Sequence, residues 1–185
     1  MNQTKSNIII GAVMILLAAV LKLATYHNSF SLTPIIAIAL FSGAVVSDKK
    51  LAFLMPLLAM FVADLLLDLS GVGIGFYGVG QIGNYVCLLF VTLLGFYMKK
   101  ISVLSVAGFS IGSSLLFYFL SNSNTFIFDT FNMYERSFSG YIRCMALGLE
   151  FLKTRIPTDL FYSAVLFGSY VLMFKKTTTP RKVIA

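Results

Sequence analysis

The sequence predicts an all-α membrane protein of six transmembrane helices with both termini on the cytoplasmic side. Three observations predict it. The 185 residues are 58% hydrophobic and 11% charged, with a mean hydropathy of +0.90, whereas a soluble domain averages about 25% charged residues. With so few polar groups, lipid must solvate most of the surface. Apolar runs recur near the ~20 residues that cross a bilayer, and none alternates with period two as a barrel strand would. Lysine and arginine gather in short clusters in alternate connections, the pattern that sets orientation. The formal charge of +7 therefore reads as topology rather than as a nucleic-acid footprint.

The spans are expected at residues 7–25, 30–46, 51–69, 83–98, 101–120 and 157–174. The first follows Lys5 and has the look of a secretory signal, but no small-x-small cleavage site follows it, so it is expected to stay in the bilayer. Lys5, Lys49–Lys50, Lys99–Lys100, Lys175–Lys176 and Arg181–Lys182 then share one side, and the positive-inside rule makes that side the cytoplasm. Residues 137–157 are short for a span and carry Arg143 and Glu150. As a seventh crossing they would send the basic tail outside, so they read as a re-entrant or interfacial helix on the outer face. Residues 1–176 form a single transmembrane domain on this reading, and 177–185 a disordered cytoplasmic tail. The inner connections are tight, whereas the outer ones at 70–82 and 121–156 are long. Binding residues concentrate on such loops when a rigid frame holds them.

Charges inside apolar helices are costly and mark function or pairing. Lys22 climbs helix one to about the depth of Asp64 in helix three, Asp68 lies one turn further out, and Asp159 enters with helix six from the outer side. The four are expected to form one cluster near the outer face. Asp64 and Asp68 share a helix face and repel unless a cation stands between them or one keeps its proton. A Lys22–Asp64 ion pair locking two helices is the plainer reading. The sharper one makes Asp68 and Asp159 ligand-facing.

Gly71, Gly73, Gly75, Gly78, Gly80 and Gly83 follow. The GxGxxG they contain has no strand before it and no βαβ pattern around it, so it carries no nucleotide meaning. A flexible lid over an outward pocket is the preferred use, with Gln81 and Asn84 at the start of helix four offering backbone N–H groups to an anion. His27 ends helix one on the outer side, where a lone histidine is first an interfacial polar group. Cys87 and Cys144 have no CxxC spacing, which removes zinc-ribbon and thioredoxin readings. Arg143 and Glu150 share a face of the interfacial helix. No nucleophile elbow, HExxH or paired histidines are present, so neither enzymatic chemistry nor a cofactor is expected.

The stretch HNSFSLTPIIAIALFSGA, followed by KKLAFLMPLLAMFVADLLLD, resembles an uncharacterised bacterial integral-membrane family. Its members carry Asn-Phe-Thr-Pro, then Ala-x-Ala-Leu-Phe-x-Gly-Ala, then a proline-containing helix ending in aspartate. The segment SNSNTFIFDTFNMYERSFSGYIRCMALGLEFLKTRIPTDLFYSAVLFG is similar to that family's outer loop and last helix, with Thr158-Asp159-Leu160 where Gly-Asp-Leu is usual. That family in turn resembles the S components of energy-coupling-factor (ECF) vitamin transporters. The resemblance implies vitamin or metal binding at the outer side, with a transmembrane coupling subunit and ATPases as partners in a bacterial inner membrane.

Two function classes follow. The first is a capture protein for a small solute, with Lys22, His27, Asp64, Asp68, Gln81, Asn84, Arg143 and Asp159 as candidate binding residues; its acidic excess favours a cationic solute or metal ion. The alternative is a non-transporting partner subunit of a membrane complex in which the buried charges are locks.

Overall fold

The computed structural model describes residues 3–26, 33–129 and 132–175, which are helical throughout apart from short connections. Six helices follow in order: α1 (Gln3–Thr25), α2 (Ile35–Val45), α3 (Lys49–Leu69), α4 (Val79–Phe96), α5 (Val103–Phe128) and α6 (Phe138–Lys175). His27 and the tail at 177–185 lie outside the described residues.

Among the described residues three helices, α3, α4 and α5, are long and apolar enough to cross a membrane. Their outward faces carry apolar stripes at helical spacing: Leu54, Leu58 and Phe61; Val86, Phe90 and Leu93; Ile111, Leu115 and Phe119, all exposed. Inside, by contrast, Asp64, Gln81, Thr92, Ser110, Ser113, Ser114, Asp159 and Ser163 are buried. Polar groups within and hydrocarbon without is the distribution a lipid solvent favours.

Helix α2 is the hub, packed against α3, α4, α5 and α6. Every residue from Ile35 to Gly43 is buried, which explains why this run is apolar on all sides. Its 11 residues rise only about 16 Å, so the span expected at 30–46 is represented by a shorter, enclosed helix. Phe41 packs edge-on against Phe167 at 5.1 Å and Tyr170 at 5.9 Å, joining α2 to α6. The α2–α4 crossing is closer still. A Cβ placed on Gly43 would stand 2.1 Å from the Thr92 carbonyl oxygen, and one on Gly95 would stand 2.5 Å from that of Leu40. Only glycines allow these backbones to meet.

Local signals fix the ends. Asp48 caps α3, its carboxylate accepting from the N–H groups of Lys50 (2.8 Å) and Leu51 (3.3 Å). Ser102 caps α5 through the Ser105 N–H at 3.3 Å. At the far end of α5, Arg136 donates to the carbonyls of Phe126 and Ile127, a cation at a helix C-terminus. Asp129 turns the chain there with φ 32°, and its carboxylate accepts from Met133 N (2.8 Å) and Tyr134 N (3.1 Å).

Two expectations are corrected. Residues 137–157 are not a separate re-entrant helix: they are the first half of α6, which runs unbroken for 38 residues through Pro157. At about 57 Å that helix is nearly twice the ~30 Å hydrocarbon thickness. The long outer loop expected at 121–156 is in fact the last two turns of α5, a short connection and the first half of α6. Tyr118 Oη donates to the Met145 carbonyl at 2.6 Å, and Ser123 and Tyr141 hydroxyls meet at 3.1 Å, closing a helical hairpin.

Candidate functional site

Asp64 is fully buried at 0% exposure. A carboxylate there needs compensation, and three side chains from two helices supply it. Lys22 from α1 pairs with Oδ1; Gln81 Nε2 and Tyr85 Oη from α4 donate to Oδ2 at 2.6 and 3.0 Å. Gln81 also gathers the glycine segment: Nε2 donates to the Gly75 carbonyl at 3.1 Å and Oε1 accepts from Tyr77 N at 3.2 Å. The result joins α1, α3, α4 and the α3–α4 connection through one carboxylate.

Asp68 is exposed and accepts from Gly75 N at 3.3 Å. The glycine segment is thus folded down onto the end of α3 rather than arched over a pocket. A Cβ on Gly75 would lie 2.0 Å from the Asp64 carbonyl oxygen, and one on Gly73 would strike the Tyr26 ring at 1.9 Å. These two glycines serve close packing. Gly71 and Gly78 instead take positive φ, at 66° and 87°.

The cavity lies elsewhere. A space of about 560 Å³ opens at the end of the bundle that holds the α5–α6 connection, between α2, α4, α5 and α6, within the ordinary range of ~300–1,000 Å³ for small-molecule sites. Its wall mixes aromatic rings (Phe117, Tyr118, Phe151) with amides and hydroxyls (Asn84, Asn122, Ser121). Among the described wall residues Arg155 is the one charged side chain. Its Nη1 donates to the Thr33 carbonyl at 3.3 Å, which places it at the mouth of α2. Asn84 Nδ2 donates to Tyr77 Oη at 2.5 Å, while Asn84 Oδ1 is buried with no hydrogen-bond partner. Burial pushes the Tyr77 phenol above its ordinary pKa, and the nearby Asp64 charge adds to this, against the Asn84 hydrogen bond.

Of the residues singled out in the sequence, Lys22, Asp64 and Gln81 come together, and Asn84 joins the cavity wall. Asp159 does not share the Asp64 network: it is 0% exposed on α6 and accepts from Ser114 Oγ of α5 at 2.9 Å. The four charges expected in one cluster are divided: Lys22 and Asp64 pair, Asp68 is exposed beside the glycine segment, and Asp159 is buried against α5. Arg143 is exposed on the first half of α6. Among the described residues no group of three His, Cys, Asp or Glu side chains is placed to hold a metal. Sequence reasoning missed Arg155 and the polar face of α5. The signal was present, since Ser114, Tyr118, Ser121, Asn122 and Thr125 recur at three- and four-residue spacing.

A family model described as a family of unknown function (DUF6580) matches residues 2–182, and the chain belongs to that family. No curated protein and no solved structure matches it.

Proposed function

We propose that this DUF6580 member is an integral protein of a bacterial inner membrane that captures a small solute at its outer face for uptake, in the manner of an ECF S component. The observation that carries the reading is the outer-end cavity, with its aromatic walls, neutral polar groups and one guanidinium. Convergent polar groups in an otherwise apolar concavity are the usual signature of a small-molecule site. The solute class shifts from the acidic-pocket expectation. Asp64 is consumed by Lys22, Gln81 and Tyr85, and the charge on the wall is Arg155. A neutral or anionic solute with a flat, partly apolar body fits better than a cation. Arg155 would meet its carboxylate or phosphate, and the buried Asn84 oxygen would take a donor from it.

A coupling subunit remains the proposed partner, but not through the four alanines Ala18, Ala19, Ala59 and Ala63. All four are 0% exposed and already serve packing within the chain. The non-transporting partner-subunit reading draws its support from the saturated Asp64 network, which behaves as a lock.

Native mass spectrometry of the protein purified in mild detergent separates the two. Capture predicts a co-purifying small molecule that disappears in Ser121→Phe, which fills the cavity, and is depleted in Arg155→Gln. A wild-type protein bare of any adduct, or an adduct unaffected by both substitutions, overturns it.

A further inference from the structure

Beneath the cavity, toward the middle of the bundle, α5 and α6 enclose a layer of oxygen atoms that the capture site does not use. Ser110, Ser113 and Ser114 on α5 are exposed by 1%, 0% and 1%, and Asp159 and Ser163 on α6 by 0% each. The antiparallel register sets Ser114 Oγ 2.9 Å from Asp159 Oδ2 and Ser163 Oγ 3.2 Å from Ser110 Oγ. Asp159 Oδ1 lacks a hydrogen-bond partner, and so does the buried Ser113 Oγ, one residue before Ser114 on α5.

The carboxylate is short of donors. Its one hydrogen bond comes from Ser114, whose single proton is also within reach of the Ser110 carbonyl at 3.1 Å. An ionised carboxylate left so in an apolar interior is strongly disfavoured. Arg155, one turn earlier on α6, acts on Asp159 across space but directs Nη1 to the Thr33 carbonyl. Either a proton on the carboxyl or a cation beside it answers Oδ1.

We propose that Asp159 and the surrounding serine hydroxyls form a binding site for one monovalent alkali cation, with sodium as its type. A carboxylate with hydroxyls is an all-oxygen donor set, suited to a hard cation rather than to a thiophilic or imidazole-seeking metal. One carboxylate balances one positive charge. A divalent ion would leave a buried net charge, made worse by the nearby guanidinium. Ser114 is also part of the cavity wall, so the ion would enter through the cavity and leave through it. Binding there would tie α5 to α6 directly under the solute. This proposal goes beyond solute capture and does not depend on it.

The test uses no solute. The full chain has two buried free cysteines, Cys87 and Cys144, so thermal unfolding in detergent can be followed with a thiol-reactive dye. Sodium chloride is titrated against choline chloride at constant ionic strength and pH, with lithium and potassium in parallel. The expected result is a saturable rise of the wild-type midpoint with an alkali cation, lost in Asp159→Asn and displaced to higher concentration in Ser113→Ala. A wild-type midpoint indifferent to all three cations overturns the proposal, as does a response that Asp159→Asn retains. So does a midpoint that follows pH and not the cation, which would assign the carboxylate to a proton. The wild-type titration and Ser113→Ala keep the test decisive should Asp159→Asn fail to fold.

Discussion

Replacing Lys22 with methionine tests whether the Lys22–Asp64 pair holds α1 on α3. Methionine keeps the apolar stem of the lysine and removes only its charge. Asp64 is 0% exposed and the Lys22 side chain 20%, so the aspartate would be left charged without a cation. Removing one member of a buried pair costs about 3–5 kcal/mol. Gln81 and Tyr85 would still donate to Oδ2, which places the expected loss at the lower end, about 3 kcal/mol. For a chain of this size that lowers the unfolding midpoint by about 6–12 °C. The assay is thermal unfolding read by dye access to the buried cysteines. Combining Lys22→Met with Asp64→Asn should recover at least half of the loss, because the stranded charge is then gone and both donors keep an acceptor. A single variant within about 2 °C of wild type, or a double variant whose losses simply add, would refute the lock.

The same assay distinguishes two kinds of glycine. Gly43→Ala must push α2 off α4, since its Cβ would lie 2.1 Å from the Thr92 oxygen, and should cost about 1–3 kcal/mol. Gly71→Ala meets nothing within 4 Å and is strained only by its φ of 66°, so about 1 kcal/mol is expected; the reverse order would contradict the packing described. Asp48→Ala removes two cap hydrogen bonds from α3 and should lower stability by about 1 kcal/mol, with solute binding unchanged. Asn84→Leu leaves no oxygen for the solute and should weaken binding measured by ligand-induced thermal shift, while unliganded stability stays near wild type.

Helix identity was legible wherever apolar runs were long, as in α3, α4 and α5. The Lys22–Asp64 pair was legible too, because charges at equal depth in apolar helices require one another. The polar run Ser121–Thr125 misled the reading into a loop. In the structure these side chains turn back on their own helix, Asn122 Nδ2 to the Tyr118 carbonyl (2.8 Å) and Thr125 Oγ1 to that of Ser121 (2.9 Å), and so continue α5. Two of them also reach across, Asn124 to the Gly80 carbonyl at 2.6 Å and Ser123 to the Tyr141 hydroxyl at 3.1 Å. Pro157 with its charged neighbours suggested a boundary, but a proline removes only one backbone donor. The packing of α6 on α5 carries the helix past it. The cavity was out of reach for a different reason: its wall comes from four helices whose pairing no local pattern reveals.

An experimental structure of the wild-type chain, purified in mild detergent with its solute retained, tests solute capture most directly. Density for a small molecule between Phe117, Asn84 and Arg155 is the predicted result. An empty cavity, or a solute seated against Lys22 and Asp64 instead, would contradict it.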